Sequence, residues 1–175
     1  MKNIIAILLL CMPMIGFAQA TTVQEGAAGI LAFNQEKIVS LAEAIPADKY
    51  DWRPQEGVRS IGEAILHMCA ANYFLFMQAG VPVPDGVNPM SMESDIKGKE
   101  NIIAEIKKSM MFAQEQARAI EDSALGDKVE MPFPGEYNKQ SVIMISMDHC
   151  AEHMGQLIAY ARMNGITPPW SVPNE

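Results

Sequence analysis

Four long stretches of this chain repeat their apolar residues every three to four positions, and prolines and glycines cut the chain between them. That period is the 3.6-residue turn of an α-helix and not the alternation of a strand, so each stretch has one face to bury. The first runs from Val23 to Ile45, with Ile30, Phe33, Ile38, Leu41 and Ile45 at helical spacing and Pro46 ending it. The second starts at Ser60, where Ser60-Ile61-Gly62-Glu63 has the form of a capping box, and ends near Ala79, with Gly80 as the stop. The third covers Lys99 to Glu121 on Ile102, Ile106, Met110, Ala113 and Ala117. The fourth covers Lys139 to Asn164, with Asn138 as its cap and Gly165 and Pro168-Pro169 forbidding continuation. No segment reads as a strand, and Asp122 to Tyr137 reads as a loop. Four amphipathic helices predict an all-α fold, a four-helix bundle, in which the long connection from Val81 to Lys97 is placed to be a crossover.

The first twenty residues do not share this pattern. Lys2 supplies a positive start, Ile4 to Ile15 is apolar and uncharged, and Ala18-Gln19-Ala20 is a small-x-small cleavage site. That order is a secretory signal peptide over 1–20, which leaves one domain over 21–175 and predicts a secreted or periplasmic protein. The apolar run is shorter than the roughly 20 residues of a membrane span. Leu10 before Cys11 argues against a lipid anchor.

The chain carries 13 basic and 21 acidic residues, and removal of Lys2 takes the net charge from −8 to −9. An acidic surface suits neither nucleic acid nor an anionic membrane, because binding phosphate requires a basic one. Cys69 and Cys150 remain after cleavage. Export permits a disulfide between them, but their helical offsets favour two buried thiols.

The chain's three histidines, His67, His149 and His153, all fall on faces that turn inward. At 100° per residue His153 lies about 40° from His149, one turn along, with Val142, Ile145, Gln156 and Tyr160 on the same stripe. On the second helix Ala64, Ala70, Ala71 and Phe74 surround His67, and such small neighbours leave room for a ligand or a hydrated ion. A single inward histidine is more often a hydrogen-bonded core residue than a ligand. Two neutral imidazoles at i and i+4 in a core each need a partner, and one divalent metal ion satisfies both. The residues His149-Cys150-Ala151-Glu152-His153 match the H-x-x-E-H pattern of inverted zinc proteases. Those enzymes take a third ligand downstream, whereas only 22 residues follow His153 here, with no acid before Glu175. The third ligand must come from upstream, which points to His67 and away from that protease class. Glu152 stays as a general-base candidate beside the simpler reading of a solvated carboxylate. Gln156 is a candidate hydrogen-bond partner of the site or a helix-packing amide.

Taken together, Ser60-Ile61-Gly62-Glu63-x3-His67, then His149-x3-His153-x-Gly155-Gln156-Leu157-x2-Tyr160-x-Arg162, then Gly165-x2-Pro168-Pro169 resemble the DinB/YfiT-like family, as does Asp51-Trp52-Arg53-Pro54. The resemblance covers roughly residues 25 to 170. It implies a four-helix bundle of the kind regarded as metalloenzymes, with zinc, nickel or iron held by His67, His149 and His153. It also implies a homodimer and, in some relatives, transfer or isomerisation chemistry on low-molecular-weight thiols. Export departs from that last pattern, because the thiol cofactors are kept reduced in the cytosol. The expected function is an exported metal-binding protein acting as a metal-dependent hydrolase or transferase on a small-molecule substrate. Its rivals are a thiol-dependent S-transferase or isomerase and a non-enzymatic metal- or small-molecule-binding module. Three protein ligands leave a coordination position open, which is the mark of a catalytic site.

Overall fold

The structure, a computed structural model, describes residues 22–172; the expected signal peptide lies outside the described residues. The order is α1 (Val23–Ala44), α2 (Ile61–Gln78), a one-turn α3 (Met92–Asp95), α4 (Lys99–Ala119), a hairpin of β1 (Lys128–Val129) and β2 (Tyr137–Asn138), and α5 (Lys139–Met163). Short 3-10 turns lie at Ala47–Lys49, Asp122–Ala124 and Pro169–Ser171.

Each long helix but α4 begins where a side chain accepts a free backbone N–H. Thr22 Oγ1 takes the Glu25 N–H at 3.2 Å. The expected capping box opens α2: Glu63 N–H donates to Ser60 Oγ at 3.2 Å and Ser60 N–H to Glu63 Oε2 at 2.8 Å. The next two amides, of Ile61 and Gly62, donate to the carbonyls of Trp52 and Tyr50 at 3.0 and 2.9 Å. The connector before α2 thereby satisfies donors that a helix start leaves free. Asn138 and Ser141 form a second reciprocal cap at α5, at 2.8 and 3.4 Å. Gly80, at φ 88°, ends the α2 region in a conformation that a side chain disfavours.

α1 and α2 each pack against both α4 and α5, so that α1 and α2 face one another across the diagonal of the bundle. Along the α2–α4 seam Gly62 meets Ile102, Tyr73 meets Glu105 and Phe76 meets Phe112. Both numbers rise together, so α2 and α4 run parallel. Parallel neighbours require the chain to return the length of the bundle, and the connection from Ala79 to Gly98, carrying α3, does so. The expected crossover is therefore present. Across α2–α5 the order reverses, from His67 against His153 to Asn72 against Cys150, and these helices are antiparallel.

Two expectations are corrected. Ile30 and Phe33 were expected on the buried stripe of α1, yet they are 50% and 59% exposed. Ala27, Ala28, Leu31 and Asn34 take the inner face instead, because alanines let the neighbouring helices approach closely. The segment expected to be free of strand carries the antiparallel pair Lys128↔Asn138 and Val129↔Tyr137. Strands of two residues are too short to show alternation.

Cys69 and Cys150 are both buried free thiols. Burial pushes the Cys150 thiol up to about 12 and raises Cys69 as well, so neither is a nucleophile near neutral pH. Among the described residues no helix is long and apolar enough to cross a membrane.

Candidate metal centre

The capping box sets where α2 starts and hence which way its second turn points. His67 sits there and faces α5, whose His149 and His153 lie one turn apart on the facing side. The antiparallel seam brings together residues 82 apart in sequence. His149 Nε2 stands 3.3 Å from His67 Nε2 and 3.1 Å from His153 Nε2. One ligand nitrogen from each ring lies within 4.8 Å of the others, and the three half-buried rings could hold a metal ion.

The outer ring nitrogens of His67 and His153 each face an oxygen partner, which selects a tautomer. His153 Nδ1 lies 2.7 Å from Gln156 Oε1, an acceptor only, while Gln156 Nε2 donates to Tyr160 Oη at 2.9 Å. With the Gln156 amide in this orientation, His153 donates through Nδ1. His67 Nδ1 lies 3.2 Å from Glu93 Oε1, and the other carboxylate oxygen accepts from Arg59 Nε at 2.9 Å. Glu93 orders the His67 ring in the same way, so the Nε2 atoms of His67 and His153 both present bare lone pairs. His149 Nε2 can donate to one of them at most. At least one lone pair is thus left facing another nitrogen, an arrangement that a cation relieves. Two imidazoles on one ion at 2.0–2.1 Å sit about 2.9 Å apart at a right angle and about 3.4 Å apart at the tetrahedral angle. The observed 3.1 and 3.3 Å fall between these limits, and the residues fit the group.

Burial, joined by the charge of Arg59, holds His67 below the usual imidazole range, so its contact with Glu93 is a hydrogen bond between a neutral ring and a carboxylate rather than an ion pair. Burial and the two neighbouring rings push His149 down to about 4. Both rings are neutral near pH 7, the state that ligates a metal. His149 Nδ1 is buried with no partner among the described residues.

The sequence-derived site residues divide clearly. His67, His149, His153 and Gln156 come together. Glu152 lies on the exposed side of α5, and no hydrogen bond joins it to the histidines. Glu93 and Arg59 were not anticipated. Glu93 lies on α3 inside the crossover, where no periodicity marks it, and Arg59 immediately precedes the cap of α2. The Trp52 ring meets Tyr160 edge-on at 5.5 Å and so braces the Tyr160–Gln156–His153 chain of contacts. Arg53 donates to Val58 O at 3.0 Å and to Glu63 Oε1 at 3.1 Å, which fixes the same connector.

A helical bundle in which two antiparallel helices aim three imidazoles at one point, each outer nitrogen but one tied to a partner, defines a histidine-centred bundle protein. The chain belongs to the DinB superfamily, whose family model matches residues 30–157. Solved structures agree on the fold. A DinB-like protein of Bacillus cereus aligns with a TM-score of 0.70 at 16% identity, covering 83% of this chain and 95% of that one. A DinB-like protein of Bacillus subtilis aligns at 0.64 and 17% identity, covering 85% and 96%. A conserved protein of Enterococcus faecalis aligns at 0.64 and 13% identity, covering 82% and 98%. No curated protein matches in sequence.

Proposed function

We propose that the protein binds one divalent metal ion through Nε2 of His67, His149 and His153 and uses its open side as a metal-dependent enzyme on a small-molecule substrate. The observation that carries this reading is the meeting of three imidazole Nε2 atoms, with Nδ1 of His67 and of His153 each turned to an outer oxygen partner. A bound ion supplies a Lewis acid there. The chain's own part is to fix the rings: Glu93 and Gln156 hold two of them, and Arg59 and Tyr160 hold those two in turn. Three imidazoles admit zinc, nickel or iron alike, because affinity across these metals follows a general order rather than the ligand set. Elemental analysis of the purified protein is the direct test, and about one equivalent of divalent ion per chain is the expected result for a single closed set of three ligands.

The role of Glu93 has its own test. Glu93→Gln keeps the side chain's size but removes the charge that orders His67. Metal affinity is expected to fall roughly tenfold to a hundredfold, the usual cost of losing such an outer partner. Competition with a chromophoric chelator measures it, and an unchanged affinity would show that His67 is oriented without Glu93.

Two further parts of the reading concern where and in what form the protein works. The charged start, apolar run and Ala18-Gln19-Ala20 support export, and the mass of the secreted chain is expected to correspond to a start at Thr21. The exposed apolar strip of Ile30 and Phe33 on α1 with Met144 on α5 supports pairing of two copies. Sedimentation is expected to show a dimer that Phe33→Asp splits; a wild-type monomer at micromolar concentration refutes it.

A further inference from the structure

Two hollows flank the histidines, and Glu93 forms part of the wall of both. One, of about 570 Å³, is lined by Arg53, Arg59, Glu63, Glu93 and Gln156 together with the turn at Gly57 and Val58. The other, of about 290 Å³, is mostly apolar and is lined by Ala70, Ala71, Phe74, Pro89 and Met90 beside His67. The two differ in what they can recognise.

In the polar hollow the two arginines are not equivalent. Arg53 spends both terminal nitrogens inside the fold, on Val58 O and Glu63 Oε1. Arg59 holds Glu93 through Nε alone, and its two terminal nitrogens have no hydrogen-bond partner among the described residues. A guanidinium anchored in this way presents its paired donors in the fork geometry that matches a carboxylate. In the apolar hollow Ala70 and Ala71 leave space one turn from His67, Phe74 forms a wall, and Met90 lies 81% exposed at its rim. Apolar surface beside a candidate reactive centre favours an apolar group over water.

We propose that the centre takes an organic carboxylate with an apolar arm: the arm fills the hollow of Ala70, Ala71 and Phe74, and the carboxylate pairs with the terminal nitrogens of Arg59. The proposal rests on the reading of the three histidines as the reactive centre and adds the substrate class. An occupant of both hollows lies across Glu93, the residue that joins Arg59 to His67.

The test uses three probes, hexanoate, hexanamide and acetate, titrated calorimetrically into zinc-loaded protein. Hexanoate is expected to bind at least about tenfold more tightly than either of the others, as one charge-assisted pair and one buried alkyl chain each supply. Arg59→Gln is expected to remove most of the preference for hexanoate over hexanamide, and Arg59→Lys to keep part of it. Ala71→Leu is expected to remove the preference for hexanoate over acetate and to leave acetate binding as it was. Arg59 also holds Glu93 and through it His67, so the zinc content and zinc affinity of each variant are measured alongside and the probes are compared at full zinc loading; Glu93→Gln, which loosens His67 but keeps the guanidinium, is the control that separates the two effects. Preferences that survive Arg59→Gln or Ala71→Leu in zinc-loaded protein overturn this proposal and leave the metal reading intact. A wild-type chain that takes up no ion overturns the metal reading instead, and the same ratios in that ion-free protein then decide whether the two hollows recognise the probe.

Discussion

Replacing His149 and His153 together by alanine is expected to lower bound metal from about one equivalent to almost none, because a single imidazole does not hold a divalent ion at protein concentrations. The two residues supply two of the three converging Nε2 atoms and lie on one helix, so the change leaves the α2 half of the site, with Glu93 and Arg59, in place. The ligands come from positions 82 apart, and the complete site exists only in the folded chain. An ion that binds the native state alone adds about 2.7 kcal/mol of stability at a hundredfold excess over its dissociation constant. The wild-type protein is therefore expected to melt several degrees lower after chelation, while the double variant melts at the same temperature with and without chelator. Metal content that stays unchanged in the double variant would refute the three-histidine site.

The second large effect is expected from Phe76→Ala. Phe76 is completely buried on α2, its ring 6.1 Å from that of Phe112 on α4 and close to edge-on, and Phe112 also meets Tyr73 at 5.0 Å. Truncation removes the ring's buried surface and leaves a cavity between two parallel helices that the crossover holds in register. The cost is about 3–5 kcal/mol, measured as a shift in the urea midpoint at constant slope. A loss below about 1 kcal/mol would mean that the seam collapses onto the smaller residue. Phe76 touches none of the histidines, so metal affinity of the folded variant should match that of the wild type.

What could be read from the sequence followed from local rules. The capping box at Ser60 and Glu63, the cap at Asn138 and the stops at Gly80 and Gly165 depend on neighbours within a few positions, and the helix limits fell within one or two residues of expectation. Once α2 and α5 were phased, the inward aim of His67, His149 and His153 followed from the 3.6-residue period, and so did the place of Gln156. The space beside His67 that its alanines implied is present as the apolar hollow. The misses were set by tertiary placement. Ile30 and Phe33 sit at helical spacing, yet which of two adjacent stripes of α1 turns inward depended on how closely its alanines let α4 and α5 approach. Glu93 reaches His67 only because the chain runs back along the bundle between two parallel helices, and nothing in Met92-Glu93-Ser94-Asp95 encodes that path.

That return path divides the labour of the site. The three histidines stand on α2 and α5, whose seam is part of the bundle core, whereas Pro89, Met90 and Glu93 belong to the crossover, which the bundle carries on its outside. Substitutions at Pro89 and Met90, unlike those at Glu93, can reshape one wall of the apolar hollow without touching the residues that order the imidazoles. On the proposed function, substrate preference can therefore drift by variation of residues 86 to 91 while the three histidines stay constant, with Met92 held in the core. On the same proposal, grafting that short segment between bundles of this kind is a compact way to exchange what they accept.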